Sequence, residues 1–452
     1  MPLFRFPLLR SRGINLRYRK LLSLSLPIVG SMLSQSLMNL VDTALVGRLG
    51  EDALAGVGAG SYAIFLATAL LLGLASAVQA NIAHACGAED RQQQRAVLSN
   101  GMLLGLLMSL LVVGLFWAIK TPLLHWITIH ASVQAIAEPY FDWRILGLPA
   151  VAMSLVFRGV LNGSHQPGTF LKWLALTHLL NASLSFCLIY GHAGLPKMGA
   201  SGAGLGTTIS LYVGSLAYGL LVVRTLHPSC RLLSLILLRT MLGYVIPHSA
   251  QQLSFALSLT VLFWIIGLLG TAQQAIAHVL MNLSLLLILP GVGLGMACTT
   301  LVGHALGRNH PDAAYRWGID GVKTAFVVLL VLGIPLWLFP SFLLSLFLPQ
   351  SNLIATASPL LIITALMLAL DAASLVLNQA LYGAGAGQMS MTINIVSQWC
   401  FFLPLAWLFG PILGGGLLAI WLVQFAQRCI NSGLYTWIWR QRHWQPQPAS
   451  LD

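Results

Sequence analysis

Charge is the scarcest property of this 452-residue sequence. Only 8% of its residues are Asp, Glu, Lys or Arg and 57% are hydrophobic, whereas a typical soluble domain is about 25% charged. A soluble chain of 48.6 kDa could not cover its surface with so few charges. The composition therefore excludes a soluble globular protein and predicts a polytopic α-helical membrane protein.

Patterns for metal, disulfide and nucleic-acid chemistry are missing as well. The six cysteines lie far apart with no CxxC or zinc spacing, and no HExxH motif or Cys/His cluster occurs. The net charge is +12, but the basic residues form no stripe with interleaved aromatics. We expect no metal site, no cofactor and no nucleic-acid partner, and an intramembrane enzyme is a remote alternative.

Twelve apolar runs are long enough to span a bilayer. They cover 22–48, 53–83, 97–119, 133–160, 169–190, 200–223, 241–268, 273–302, 320–345, 353–382, 389–410 and 414–438. With the N-terminus inside, seventeen Lys and Arg residues, Arg428 among them, are assigned to inner segments and three to outer loops. This positive-inside bias places both termini in the cytoplasm.

A repeat with a constant shift of 220 residues runs through the chain. The matching pairs are Pro27 and Pro247, Gly50 and Gly270, His84 and His304, Gly87 and Gly307, and Gly163 and Gly383. Six spans per half is an even number, so both halves insert with the same orientation, as in parallel-repeat transporters. We expect an all-α fold of two parallel six-helix lobes that enclose a cavity between them; a purely structural duplicated bundle is the alternative.

The repeat divides the chain into five segments. They are a cytoplasmic N-terminal segment at 1–21, an N-lobe at 22–223, a cytoplasmic linker at 224–240, a C-lobe at 241–438 and a cytoplasmic tail at 439–452. The basic linker joins the two lobes.

Most of the eleven acidic residues lie in loops or at the ends of predicted spans, and two do not. Asp42 lies toward the outer end of the first span and Asp371 deep in the tenth. A charge at the bilayer centre costs at least about 2.5–3.5 kcal/mol, so such acids mark ion or substrate pathways. The alternative is a hydrogen-bonded carboxyl that holds helices together. Because the repeat equivalents are Leu262 and Val151, the two lobes cannot do identical chemistry.

Polar residues and a proline accompany Asp42 in the first lobe. Asn181 and Ser185 lie one turn apart on one face of the fifth span, and Thr207 follows a glycine-rich start to the sixth. Pro27 permits a bend in the first span. A bend that depends on protonation of Asp42 would couple ion occupancy to cavity shape.

The outer mouth of the fourth span carries two acids and a base. Glu138 and Asp142 are spaced i, i+4, and Arg144 can offset one of them, which favours interfacial pairing. In the tenth span, Asn378 follows Asp371 and either lines a cavity or bridges helices.

Over about residues 20–440 the chain resembles the MATE (multidrug and toxic compound extrusion) transporters. LPIVGSMLSQSLMNLVDTALVGRLG, residues 26–50, is similar to the family's first helix. AIAHVLMNLSLLLILPGVGLGMACTTLVGHALG, residues 275–307, is similar to its eighth, and YFDWRILGLP in the fourth resembles the DinF-like branch. The resemblance implies the two-lobe MATE fold.

The resemblance also implies an ion-coupling site in the N-lobe. Asp42 matches the family's N-lobe acid and Asn181 its helix 5 asparagine. Thr207 matches a helix 6 threonine and Tyr140 a helix 4 tyrosine. Ser185 stands where many relatives have a second aspartate, and the single remaining carboxylate favours H⁺ as the coupling ion. Na⁺ held by Asp42, Asn181 and Thr207 is the alternative.

In the C-lobe the resemblance implies a cavity near Asp371, which matches the helix 10 acid of the NorM-like branch. Phe255 stands near the position of a NorM-like glutamate, with Gln252 one turn away. Asn378 and Asn282 complete the expected cavity residues. The chain thus combines DinF-like and NorM-like features.

The implied function is export by alternating access, in a cation-coupled antiporter that is not an enzyme. We expect a monomer in a bacterial inner membrane whose partners are lipid and small amphipathic, often cationic, substrates. Their breadth would follow from a large apolar cavity with Met and aromatic walls and few fixed hydrogen bonds. A flippase for a lipid or lipid-linked glycan is the nearest alternative, but it favours a basic cavity. Apart from Arg48, Lys172 and Arg428, which are counted with the loops and inner segments, only Arg144, Arg158 and Lys323 lie within the predicted spans.

Overall fold

The computed structural model describes residues 16–347 and 351–444, and these residues form helices and no strand. The first half contains α1 (Leu16–Gly47), α2 (Glu51–Ala69), α3 (Gly73–Gly87), α4 (Arg91–Ala118), α5 (Lys120–Ile127), α6 (Ala131–Ile145), α7 (Leu148–Gly163), α8 (Pro167–Tyr190) and α9 (Ala200–Leu226). The predicted all-α class is confirmed. Three of the arginines counted for orientation, Arg5, Arg10 and Arg12, lie outside the described residues, as does the end of the tail.

The second half begins after a short 3-10 turn at Cys230–Leu232. It contains α10 (Leu235–Gly267), α11 (Thr271–Gly307), α12 (Pro311–Leu338), α13 (Pro340–Ser345), α14 (Ser351–Leu370), α15 (Ala372–Gly383), α16 (Gly387–Val396), α17 (Leu403–Trp407) and α18 (Gly416–Gln441). Two π-helical segments, Ser397–Phe402 and Leu408–Ile412, continue the rod of α16 and α17.

By length and composition, ten helical segments can cross a membrane, or eleven if α6 and α7, bent by 48°, form one span. The 26-residue α18 occupies most of the predicted twelfth span but is not among them, so the count of twelve remains a prediction. Arg428 lies inside α18, which corrects its assignment to a cytoplasmic segment. The orientation bias does not depend on that one residue.

Broken helices inside a membrane need partners for the backbone groups that the break exposes. Between α2 and α3, Ser249 of α10 donates to the Leu70 carbonyl at 2.7 Å and accepts from the Gly73 amide at 3.2 Å. Between α6 and α7, Thr208 of α9 donates to the Trp143 carbonyl at 2.8 Å. Hydroxyl groups on neighbouring helices therefore stabilise both breaks.

The 220-residue repeat is visible in the backbone. Gly50 and Gly270 precede α2 and α11 with φ of +117° and +109°, a conformation that favours glycine. Glu89 and Asn309, also 220 residues apart, follow α3 and α11 and both have φ of +57°. The sequence repeat is thus a structural repeat, down to single turns.

Each half places its first helix in the core of the other half. Leu21 and Ile28 of α1 pack in a cluster with Leu294 of α11, and Met241 and Val245 of α10 pack in the core of the first half. We call the end of the bundle where α1 begins and α18 ends the termini end. Contacts between the halves extend from this end past the middle of the bundle, as far as a hydrogen bond between the Tyr62 and Thr260 hydroxyls.

At the termini end the contact between halves is tightest where α3 crosses α11. A Cβ at Gly87 would lie 2.2 Å from the His304 carbonyl oxygen, and a Cβ at Gly307 would lie 2.0 Å from that of His84. Real Cβ atoms do not approach other atoms so closely, so the crossing requires glycine at both positions. These four residues are repeat-related, and the structure uses them symmetrically.

Candidate functional site

A polar cluster centred on Asn181 joins three helices of the first half. Its side-chain amide donates to Asp42 Oδ2 at 3.4 Å, linking α8 to α1. Its amide oxygen accepts from Ser185 Oγ at 2.9 Å and from Thr207 Oγ1 of α9 at 3.3 Å. The spacing of Asn181 and Ser185 had predicted a shared face, and the structure brings four of the five predicted ion-coupling residues together.

The two oxygens of Asp42 differ in their surroundings. Oδ2 accepts from Asn181, whereas Oδ1 is shielded from solvent and has no hydrogen-bond partner. An ionised oxygen buried without a donor is unfavourable, and a proton or a cation removes the penalty. The cluster can therefore accept a small cation at one defined atom. Among the described residues no three His, Cys, Asp or Glu side chains group as metal ligands.

Arg144 does not pair with the acids at the mouth of α6, as the sequence had suggested. Lys120 of α5 forms salt bridges with both acids, and its Nζ lies 2.7 Å from Glu138 Oε1 and 3.0 Å from Asp142 Oδ1. Burial lowers the pKa of the Lys120 ammonium, but these two acids outweigh it and raise that pKa above its ordinary value. Arg144 instead lies near enough to Asp42 to interact electrostatically, and its Nε is buried without a partner.

Tyr140, the fifth predicted residue, lies beside the cluster without a hydrogen bond to it. Its hydroxyl pairs with Ser61 Oγ at 3.0 Å, and its ring packs with Val46 of α1 and Ala203 of α9. Its place is in the wall that encloses the cluster.

Sequence reasoning missed His178, which extends the polar interface between α1 and α8. Its Nδ1 lies 2.7 Å from Ser34 Oγ and its Nε2 lies 3.3 Å from Gln35 Oε1. The spacing in the sequence could have indicated it, because His178 precedes Asn181 by three residues and therefore lies on the same helix face.

Pro27 lies within α1, which runs unbroken from Leu16 to Gly47. Proline has no N–H and cannot donate to the carbonyl of Ser23 one turn earlier. The predicted hinge thus lies within the part of α1 packed on the second half, which includes Leu21 and Ile28, and before the part that carries Asp42. The bend itself stays a prediction.

A cavity of about 410 Å³ lies in the second half. All four residues expected there, Gln252, Asn282, Asp371 and Asn378, line it. The sequence predicted a cavity between the halves, but every lining residue of this one belongs to the second half.

The cavity wall is also more polar than expected. Ten carboxamide side chains line it: Gln251, Gln252, Asn282, Asn378, Gln379, Asn394, Gln398, Gln424, Gln427 and Asn431. Several are held in place; Gln427 donates to Ser397 Oγ at 3.0 Å and to Gln398 Oε1 at 2.9 Å. The expected Met and aromatic side chains are present as well, namely Phe255, Phe263, Met281, Met367 and Trp421, but the wall has more fixed hydrogen bonds than expected.

Asp371 lies at the break between α14 and α15 and is 1% exposed. One of its oxygens accepts from Nη1 of Arg428, on the facing α18. Ser432, one turn further along α18, donates to the Leu370 carbonyl beside the break at 2.8 Å. The tenth-span acid therefore forms an intramolecular ion pair, which the sequence did not indicate because Arg428 was counted with the inner segments.

Comparisons with known proteins agree with this architecture. The family model MatE matches residues 27–187 and 247–408, two segments that begin 220 residues apart. The chain is similar to a probable multidrug resistance protein NorM of Bradyrhizobium diazoefficiens, with 28% identity over 89% of this chain and 88% of the relative. It is similar to the multidrug resistance protein PmpM of Pseudomonas aeruginosa, with 27% identity over 88% and 86%.

A solved structure shares the fold. It is described as the outward-facing conformation of a multidrug resistance MATE family transporter of the MOP superfamily. The TM-score is 0.87 at 23% identity, covering 94% of this chain and 96% of that one.

Proposed function

The chain belongs to the MatE family, and on that premise we propose that it is a proton-coupled antiporter that exports amphipathic compounds from bacterial cells. The family makes it a multi-pass membrane transporter and not an enzyme. Its curated relatives carry multidrug resistance names, which supports small drug-like molecules as substrates. The flippase alternative needs a basic cavity, and the arginine that lines the cavity here is paired with Asp371.

The observation that carries the proposal is the unpartnered Oδ1 of Asp42 beside the Asn181 hydrogen bond. With one carboxylate in the cluster, a proton is the simplest ion that satisfies this oxygen. Protonation removes the electrostatic attraction between Asp42 and Arg144 and changes how α1 packs beyond Pro27. A bend of α1 there would then alter the first half while its other end stays packed on the second half.

We further propose that both termini face the cytoplasm, on the Lys and Arg bias of the loops. The tight contact at the termini end then closes the cytoplasmic side, which supports an outward-facing assignment for the described arrangement. Release of substrate outside and uptake of a proton from outside would occur in this arrangement.

Transport in proteoliposomes with separately imposed pH and sodium gradients tests the proposal. Two dyes that differ by one methyl ester serve as substrates: rhodamine 123, a monocation, and rhodamine 110, its net-neutral free acid. Proton coupling predicts that a pH gradient drives dye transport without sodium and that a sodium gradient alone does not. Transport driven by sodium at constant pH would replace H⁺ by Na⁺, and transport with neither gradient would overturn the antiport mechanism.

The variant Thr207→Val distinguishes H⁺ from Na⁺ as the coupling ion, because it removes one hydroxyl group from the Asn181 cluster. The Thr207 hydroxyl also donates to its own-turn Ala203 carbonyl at 2.8 Å, and Ser185 still satisfies Asn181. We therefore expect pH-driven transport to stay within about threefold of wild type, the effect of one weak hydrogen bond. The measurement is the initial rate of dye transport against an imposed pH step.

The matched control for this variant is Thr225→Val, because Thr225 is on the same helix and bonds only to its own turn. If Na⁺ is the coupling ion, Thr207→Val removes an oxygen ligand. The sodium concentration for half-maximal transport would then rise, while Thr225→Val would leave it unchanged.

A further inference from the structure

The cavity of the second half presents a guanidinium to a ligand, not a carboxylate. Among the described residues that line it, Asp371 and Arg428 are the acidic and strongly basic ones, joined by the histidines His248 and His278. The Asp371 side chain is 1% exposed, whereas that of Arg428 is 28% exposed. An incoming molecule therefore reaches Arg428 first.

This pair makes a cationic ligand unfavourable. Asp371 Oδ2 accepts from Arg428, and Oδ1 is buried without a hydrogen-bond partner. To reach either oxygen, a cation would have to pass the more exposed Arg428 or displace it, and displacement would leave that guanidinium uncompensated in a partly desolvated site. If the pair stayed intact, the cation would lie near a like charge at low effective dielectric. Arg428 thus occupies the place that an external cation would otherwise take.

A ligand without net charge meets neither penalty. The carboxamides of the wall donate and accept hydrogen bonds, and they suit hydroxyl, carbonyl and amide groups. Phe255 and Phe263 add aromatic surface to the same wall. A zwitterion can also exchange the internal ion pair for two external ones, with its anionic group on Arg428 and its cationic group on Asp371.

We propose that Arg428 sets the substrate class of this cavity, selecting net-neutral, hydrogen-bonding amphiphiles, zwitterions included, over monocations. The proposal rests on the export function proposed above and narrows it to a class of compound. It makes Arg428 a specificity-determining residue and assigns Asp371 to holding that arginine.

Equilibrium binding to the purified full-length protein in nanodiscs tests this without any ion gradient. Three dyes on one xanthene scaffold are titrated by fluorescence anisotropy: rhodamine 123 (monocation), rhodamine 110 (net neutral) and fluorescein (anion). Wild type should bind rhodamine 110 about tenfold more tightly than rhodamine 123. Arg428→Gln should reverse the order by tightening rhodamine 123 about tenfold or more, because Asp371 becomes available.

Two further variants locate the effect. Asp371→Asn combined with Arg428→Gln should lose the gain for rhodamine 123, since no carboxylate remains. Lys323→Gln removes a cation from α12, outside the cavity lining, and should leave all three dissociation constants unchanged. Equal gains in Lys323→Gln and Arg428→Gln would mean a general charge effect and would overturn the proposal.

Asp371→Asn alone keeps the test valid if Arg428→Gln does not fold. It frees the guanidinium, so fluorescein should bind at least about tenfold more tightly than to wild type. A wild type that prefers rhodamine 123, or variants that bind all dyes like wild type, would refute the role of Arg428. Loss of ion-driven transport with this dye preference intact would refute the proposed function instead.

Discussion

Asp42→Asn is expected to reduce ion-driven export to the rate of protein-free liposomes while the protein still folds and inserts. Asparagine has nearly the shape of aspartate and can keep a hydrogen bond to Asn181, but it cannot take up and release a proton. Asp42 is also only half-buried, so the neutral amide adds little strain. The measurement is dye transport under an imposed pH gradient, with the size-exclusion profile and thermal unfolding as checks on folding.

Glu138→Gln is the matched control for Asp42→Asn. It removes a carboxylate in the same half, but Lys120 keeps its partner Asp142 at 3.0 Å, so export should remain close to wild type. Retained ion-driven export in Asp42→Asn would refute the assignment of Asp42. Equal loss of ion-driven export in both variants would mean that the first half is sensitive to the loss of any carboxylate. Asp42 would then have no specific role in ion coupling.

Features that depend on one stretch of sequence were predictable. The 220-residue repeat predicts that Gly87 and Gly307 are equivalent positions, and the structure places both at one helix crossing. Spacing alone placed Asn181 and Ser185 on one helix face, where they form a hydrogen bond. Helix-face spacing and the positions of repeated glycines can be read from the sequence without knowledge of tertiary contacts, and the folded structure keeps both.

Features that depend on contacts between distant helices were not predictable. Asp371 and Arg428 are 57 residues apart, and Lys120 lies 22 residues from Asp142. Nothing in the sequence around Asp371 or Asp142 indicates which basic residue will pair with it. The polar wall of the cavity has the same origin, since its carboxamides come from separate helices and become a group only when the second half folds around them.

Helix breaks belong to this second class. The break between α2 and α3 depends on Ser249, 179 residues from Leu70 in sequence. The sequence shows one apolar run there and predicts one span at 53–83. The structure keeps Glu51–Gly87 as one candidate span, and it is the break within the span that the sequence pattern does not indicate. The compensating hydroxyl lies in the other half, so the break also ties the two halves together.

Alanine at Gly87 or Gly307 is expected to separate α3 from α11 at the termini end. The added Cβ would meet a backbone carbonyl at 2.2 or 2.0 Å, and a backbone atom cannot move aside as a flexible side chain can. Overpacking in a close-packed interior costs about 1–3 kcal/mol, so each variant should unfold at a lower temperature than wild type. The measurement is thermal unfolding of the purified protein in detergent.

Gly243→Ala and Gly433→Ala are the matched controls, because both glycines lie within helices and a Cβ there meets nothing within 4 Å. These controls should be neutral or slightly stabilising, since alanine favours helix more than glycine does. The double variant Gly87→Ala with Gly307→Ala should cost less than the sum of the single variants, because both perturb one crossing. Unfolding temperatures equal to those of the controls would mean that α3 and α11 are not in close contact, and the closed termini end on which the outward-facing assignment rests would be lost.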